Sequence, residues 1–273
     1  MTGTLYVVAT PIGNLEDITL RAIRILRECD VIASEDTRQT RKLLDHHAIA
    51  KPLVSYHEHN ELSRAEELVR ELEAGKNIAL VSDAGTPLIA DPGYRLVRKA
   101  LERGIVVTPI PGPSALIAAL CASGLPTDSF LFLGFLPPKK GRRQKLLDEW
   151  KNAQVTIVCY EAPHRVLETL DDIAEVMGSR PIAIARELTK IHEEFLFGAA
   201  VELRQTLAAR TIRGEFVLMI GAGETAVMDE TPLEEAVDKL IESGLPRMEA
   251  IKTVARDRGL SKREAYKRFH VPE

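Results

Sequence analysis

Cysteine is scarce in this chain: Cys29, Cys121 and Cys159 are scattered over 273 residues. An odd, widely spaced set gives neither a disulfide framework nor a cysteine zinc site, so buried free thiols in a reducing compartment are expected. A positive net charge is also missing. The formal charge is −4 at pH 7, so no global basic field draws in nucleic acid, and any such partner must meet local patches. Apolar runs are too short and too interrupted to cross a bilayer, and Met1-Thr2-Gly3-Thr4 leads straight into a strand pattern rather than a secretory signal. The expectation is a cytoplasmic protein with no membrane partner.

Familiar motifs are absent too. No G-x-G-x-x-G follows a strand, which removes the dinucleotide fingerprint and the glycine-rich loop of Rossmann methyltransferases. No P-loop and no G-x-S-x-G nucleophile elbow occur. His57-Glu58-His59 is the one metal-like cluster. Strand alternation lets His57 and His59 share a face, but a polar strand-to-helix turn is the simpler reading, and no metal is expected.

What the chain does have is three glycine/proline turns, each closing an apolar run suited to a buried parallel strand. They are Thr10–Asn14 after Leu5–Ala9, Ser82–Pro87 after Ile78–Val81, and Pro111–Ala115 after Ile105–Ile110. In open α/β sheets ligands bind beyond the carboxyl ends of the strands, so three such turns on one edge make a substantial site. From Thr4 to Gly221 short β-branched runs alternate with helical patterns, which reads as α/β with mostly parallel sheets. Asp91-Pro92 has the form of an N-cap followed by proline at the first helical position, with Gly104 as the stop. Asn60 caps a helix over 61–74 that ends at Gly75.

A break near Gly124 separates residues 1–123, carrying the three turns, from residues 124–223. The second segment has strand candidates at 130–136, 155–160, 182–186, 194–197 and 215–220, with some antiparallel pairing near Gly198. Gly221–Thr225 reads as a linker. Residues 230–273 look all-helical, with a helix-turn-helix form whose last helix starts at the capping-box pair Ser261 and Glu264. Ile251, Ala255, Leu260, Ala265 and Phe269 would pack it.

Tyr6–Thr19, Ser34–Arg38, Ser82–Pro87 and Pro111–Ala115 together resemble the tetrapyrrole methylase superfamily, and most closely the branch that methylates ribosomal RNA. The resemblance runs over nearly the whole chain. It implies two αβα domains enclosing a cleft for S-adenosylmethionine, a small C-terminal helical module, and a homodimer. It also implies methyl transfer to the 2′-hydroxyl of a cytidine in 16S ribosomal RNA, either free or within the small subunit.

On that resemblance Pro11, Ile12 and Gly13 lie under the methionine and ribose. Asp83, Gly85 and Thr86 form the loop beside the methionine end, with Ser82 and Ala84 where many relatives have glycine and proline. Ser114 and Ala115 meet the cofactor's carboxylate and amine. Tyr160, Glu161 and Ala162 approach the adenine, as do Gly214, Glu215 and Phe216 on a closing strand.

The residue chemistry is compatible. Asp83 supplies negative charge for a sulfonium, and the helix start after Pro113 offers free N–H groups. Asp83 as a turn cap and Pro111-Gly112-Pro113 as a rigid stop remain the structural alternatives. A ribose hydroxyl is a weak acid, so a base or oxyanion-stabilising cation is needed; Glu35, Asp36, Arg38 and His57 are the candidates, with Asn60 orienting the ribose. The residues do not choose among them.

For RNA, Lys139, Lys140, Arg142, Arg143 and Lys145 form a run without an acidic residue, and Arg263 and Lys267 stand in a basic tail. A solvated helix face is the alternative in both places. Methylation of a tetrapyrrole or a protein by the same fold, and a non-catalytic nucleic-acid-binding regulator, stay open as other functions.

Overall fold

Alternating β-branched runs and amphipathic stretches do condense into β-α units. The computed structural model describes residues 2–223, 232–257 and 269. Residues 1–223 form one compact unit and residues 224–273 a second.

The first sheet uses β1 (Thr4–Val8), β2 (Val31–Ser34), β3 (Leu53–Ser55), β4 (Ile78–Val81) and β5 (Val106–Ile110), in the order β3-β2-β4-β1-β5. Every pairing is parallel. Helices α1 (Leu20–Glu28), α2 (Thr37–His46), α3 (Glu61–Glu73) and α4 (Tyr94–Glu102) connect the strands. Two apolar clusters cover its faces: one joins Leu5, Leu68, Leu72, Leu80 and Leu96, the other Val8, Leu26, Ile32 and Leu44. β2 and β4 are buried throughout, as a strand covered on both faces should be. β5 departs from the expected buried strand. It lies at the sheet edge, where Val106 is 58% exposed and Pro109 is tolerated.

The second sheet comprises β6 (Phe130–Phe135), β7 (Thr156–Glu161), β8 (Ile182–Arg186), β9 (Glu194–Gly198) and β10 (Phe216–Ile220), in the order β6-β7-β10-β8-β9. Here the mostly parallel expectation fails. Only β6 and β7 run parallel, and the other three pairings are antiparallel. The link between β8 and β9 is too short for the crossover that a parallel pair needs. Helices α6 (Lys140–Trp150), α7 (Val166–Met177) and α8 (Ala200–Ala208) pack on one face around Leu147, Ile173, Leu203 and Leu218. The other face is covered by α5 (Ala115–Cys121). This helix follows β5, yet its Leu116, Ala119 and Leu120 pack on Val158, Ala185 and Val217 of the second sheet. α5 thereby ties the two sheets together.

Other local expectations need correction. Asp91 does not cap α4; Gly93, at φ +144°, occupies the cap position and the helix begins at Tyr94. Asn60 precedes α3 but its side chain makes no capping bond. Gly75 and Gly104 do follow their helices with left-handed backbone, which a glycine adopts without a Cβ clash. Cys29 and Cys159 are buried, and burial pushes the Cys29 thiol up to about 11; Cys121 is exposed. The expected linker begins fastened: the Gly221 amide donates to Pro181 O at 2.8 Å and the Gly223 amide to Ala153 O at 3.2 Å.

In the second unit α9 (Leu233–Glu242) and α10 (Arg247–Asp257) pack through Ala236, Val237, Ala250, Ile251 and Val254, joined by Phe269. Leu260, Ala265, the helix expected from Ser261, and Arg263 and Lys267 lie outside the described residues.

Candidate functional site

The three glycine/proline turns are stapled together. Thr10 and Gly85 form a two-way backbone bridge, with N–H···O distances of 2.9 and 3.0 Å. The Thr10 hydroxyl donates to Ser82 O at 3.1 Å, and the Thr86 hydroxyl donates to Pro113 O at 3.2 Å. Gly112 passes so close to Ala9 that a Cβ would sit 3.0 Å from that side chain. These bonds gather the carboxyl ends of β1, β4 and β5 on one edge.

Facing them is the edge of the second sheet where β7 and β8 end and β10, running antiparallel, begins. A cavity of about 420 Å³ opens between the two edges. From the first sheet it is lined by Ile12, Asp83 to Thr86, Ile89 to Asp91, Ser114 and Ala115. From the second come Phe135, Tyr160 to Pro163, Leu188 and Glu215 to Val217. Ligand cavities of ~300–1,000 Å³ with mainly apolar walls and a few polar groups are typical of small-molecule sites.

The expected cofactor residues Ile12, Asp83, Gly85, Thr86, Ser114, Ala115, Tyr160, Glu161, Ala162, Glu215 and Phe216 therefore share one cavity. Pro11, Gly13 and Gly214 are not in its lining. Gly13 instead lies against the loop after β8, where a Cβ would meet Lys190 Cγ at 2.5 Å, and Gly214 at φ +90° packs on Glu187. The two glycines pack behind the walls rather than form them. Ser114 is already used as a helix cap, its hydroxyl accepting from the Ile117 amide at 3.5 Å. The buried Glu161 carboxylate accepts from Thr169 Oγ1 at 2.6 Å and from the Ala162 amide at 2.8 Å, and it pairs with Arg165 at 3.4 Å. Its charge is thus committed to the turn after β7.

Two loops on the cavity carry strained backbone. Leu88 (φ 74°) and Ala90 (φ 63°) lie between β4 and α4, and Glu187 (φ 51°) and Thr189 (φ 66°) between β8 and β9. Left-handed non-glycine residues are uncommon, and such strain collects at functional sites. The second loop is fastened by Lys190, which pairs with Glu187 at 2.8 Å and Glu215 at 2.9 Å. The first turns Asp91 into the cavity wall instead of onto α4.

Carboxylates converge at the first sheet's edge. Burial, then the charges of Glu35 and Asp83, pushes Asp91 up to about 6, against a lowering hydrogen bond from Ser82. Glu35 is raised in the same way, by burial first and then by Asp83 and Glu58, with His57 opposing. Tyr160 is raised by burial, with Asp91 adding to it. Asp83 itself accepts the Asp36 amide at 2.9 Å, which links the β4 loop to the start of α2.

The proposed chemical residues separate here. Asp36 accepts from the Arg38 amide at 2.8 Å and chelates its guanidinium, which holds Asp36 down at about 2. It serves as the cap of α2 and as the ion-pair partner of Arg38. Arg38 is 87% exposed beyond that pair. The Asn60 amide donates to Ser55 O at 3.2 Å and sits 3.3 Å from His57 Nε2, while its oxygen accepts the His57 amide at 2.9 Å. His57 and His59 have ring centroids 5.9 Å apart, and no third metal-ligating group joins them among the described residues. Of the five, Glu35 keeps an uncommitted carboxylate among the described side-chain hydrogen bonds.

The basic run also divides. Lys139, Lys140, Arg142 and Lys145 are exposed, but Arg143 is 1% exposed and pairs with the equally buried Asp172 at 2.6 Å. Arg143 is thus removed from any RNA-facing surface. α7 brings Asp172 and Glu175 to the run, and Lys140 lies 3.3 Å from Glu175. The sequence around 139–145 holds no acid, so only the fold reveals this neutralisation.

Missed by sequence reasoning were Ile89, Ala90, Asp91, Phe135, Pro163, Leu188 and Val217. Asp91 had a signal, the long stretch between β4 and α4, but its Asp-Pro pair matched a cap. The others are apolar residues that reveal their role only once the second edge faces the first.

A family profile described as tetrapyrrole (corrin/porphyrin) methylases matches residues 4–204. The chain is 52% identical over 274 aligned positions to a Halalkalibacterium halodurans protein named ribosomal RNA small subunit methyltransferase I, covering 98% of this chain and 95% of that one. A Bacillus subtilis protein of the same name is 46% identical, covering 99% and 95%. Among solved structures, uroporphyrin-III C-methyl transferase from Thermus thermophilus complexed with S-adenyl homocysteine superposes with a TM-score of 0.56 at 19% identity, covering 80% of this chain and 97% of that one.

Proposed function

Since the chain belongs to the tetrapyrrole methylase family, we propose that it transfers a methyl group from S-adenosylmethionine to the 2′-hydroxyl of a cytidine in 16S ribosomal RNA. The observation that carries this reading is near-full-length identity to proteins named for small-subunit ribosomal RNA methylation. RNA within the small subunit, a homodimer and a cytoplasmic location complete the proposal.

The cavity's chemistry fits the cofactor. Asp83 supplies negative charge for a sulfonium, and Ile12, Tyr160, Leu188 and Phe216 supply apolar surface for an adenine. Gly85, at φ +81°, keeps the turn open where a Cβ would press on Ile12 Cγ2 at 3.3 Å. Bound there, S-adenosylmethionine supplies a methyl group activated by a cationic sulfur.

The chain's own work is positioning and proton handling. The bridged turns fix the floor, so orientation precedes the chemical step. Phe135, Tyr160 and Phe216 give the cavity aromatic walls. The carboxylates at the ends of β2 and β4 are groups that can take up the acceptor's proton. Lys139, Arg142 and Lys145 offer exposed charge for phosphates. Arg263 and Lys267 in the tail are proposed as a second contact.

Incubating the protein with methyl-labelled cofactor and separated 30S subunits, free 16S RNA and 50S subunits tests the proposal. Label should enter small-subunit RNA and be recovered as 2′-O-methylcytidine after nuclease digestion. Label in a base, in protein or in a tetrapyrrole would replace the proposed substrate.

A further inference from the structure

A hydrogen bond from Ser82 does not by itself account for where Asp91 sits. Its Asp-Pro sequence suits a helix cap, yet Gly93 takes that place and α4 starts beyond it. Left-handed backbone at Leu88 and Ala90 carries the loop so that Asp91 lines the cavity. The neighbouring Asp83 spends one oxygen on the Asp36 amide, Glu161 is bound to Thr169 and Arg165, and Glu215 pairs with Lys190 at 2.9 Å. Among the described residues Asp91 is therefore the lining carboxylate that no backbone amide or cation holds.

Asp83 and Tyr160 line the same cavity, the Ser82 hydroxyl bonds to Asp91, and the charges acting on it are those of Glu35 and Asp83. No cationic side chain is among them. A carboxylate half-withdrawn from water beside two others takes up a proton more readily than a solvated one. A general base is most effective when its proton affinity lies near working pH, and Asp91 at about 6 meets that condition.

We propose that Asp91, the uncommitted carboxylate of the cavity lining, is the general base of the methyl transfer, with Glu35 at the end of β2 as a positioning residue. This rests on the methyltransferase reading above. In the step, the acceptor O–H bond breaks and its proton goes to an Asp91 carboxylate oxygen. The oxygen's electron pair forms the bond to the methyl carbon, and the pair of the breaking carbon–sulfur bond stays on sulfur, which becomes neutral. The proton then leaves Asp91 to solvent.

Two measurements test it, one independent of turnover. Carboxyl-carbon NMR of the ligand-free protein labelled at aspartate should show one resonance titrating near pH 6, absent in Asp91→Asn and moved to lower pH in Glu35→Gln. A midpoint near 4, or no response to Glu35→Gln, overturns the arrangement even if the protein methylates RNA. With 30S subunits, Asp91→Asn should lower kcat by about 10²–10⁴-fold. It should also remove the acidic limb of the pH profile, leaving cofactor affinity within about threefold, the range of context scatter in single-interaction effects. Asp91→Glu should restore part of the rate. Tenfold weaker cofactor binding with the acidic limb retained makes Asp91 a cofactor ligand and refutes the base assignment. Loss of the limb in Glu35→Gln alone would make Glu35 the base. Failure to label RNA in the native protein, with the NMR result intact, refutes the substrate reading instead.

Discussion

The two sheets meet at one cavity but bring different things to it. The parallel first sheet ends all its strands on one edge and delivers turns, backbone groups and carboxylates there. The second sheet is mainly antiparallel and delivers side-chain surface: Phe135, Tyr160, Leu188, Phe216 and Val217. Parallel topology concentrates strand ends, where helices begin and polar backbone is open, and so suits charged chemistry. An antiparallel sheet interleaves ends and starts, so β10 contributes its first residues beside the last residues of β7 and β8.

Arg143→Ala should break the second sheet's frame most severely. It strands Asp172, 1% exposed, with little beyond Gln144 at 3.0 Å and Lys140 at 3.8 Å. Orphaning a buried charge costs about 3–5 kcal/mol. Thermal denaturation should fall by about 6–20 °C for a domain of this size. The folded fraction should still bind cofactor, because the first sheet's edge is untouched. Normal stability with reduced RNA affinity would return Arg143 to the surface role.

Asp83→Ala acts on the other edge. It removes a charge from the cavity and leaves the Asp36 amide without its acceptor, and it should weaken cofactor binding by about 10–100-fold in calorimetry. Asp83→Asn keeps an oxygen for that amide, so it isolates the charge. Equal, undiminished affinity in both variants would remove Asp83 from the cofactor site.

Asp91→Asn should have the smallest effect on stability, and in the opposite direction. Folded Asp91 holds its proton more tightly than the unfolded chain does, so its ionisation opposes folding. That opposition is absent below about pH 4, grows as the pH rises to about 6, and is constant above. The shift from 3.8 to about 6 sets a ceiling of about 3 kcal/mol. Solvent screening of a half-buried side chain reduces this to about 1–2 kcal/mol. The variant should melt about 3–6 °C higher at pH 7.5 and match the native protein at pH 4. A lower melting point at neutral pH would mean that Asp91 is structural.

Much of the first edge was legible. Turn residues are local chemistry, and Thr10–Asn14, Ser82–Pro87 and Pro111–Ala115 announce strand ends without tertiary information. The hidden parts depend on distant partners. Arg143 looks like its basic neighbours until α7 supplies Asp172. Asp91 reads as a cap until left-handed residues beside it turn the loop. Val106 reads as core until β5 is placed at the edge. Asn60 has the residue type of a cap, but His57 and Ser55 compete for its side chain and win.

By itself the sequence determined the alternation of elements, the three turns that close the first sheet's strands and the family to which these belong, because backbone propensity and turn chemistry act over a few residues. The tertiary structure alone decided which edge of the second sheet faces those turns, which charges are buried in pairs and which carboxylate is left uncommitted. Those outcomes depend on desolvation and on partners far away in the chain, and neither quantity exists until the sheets have packed.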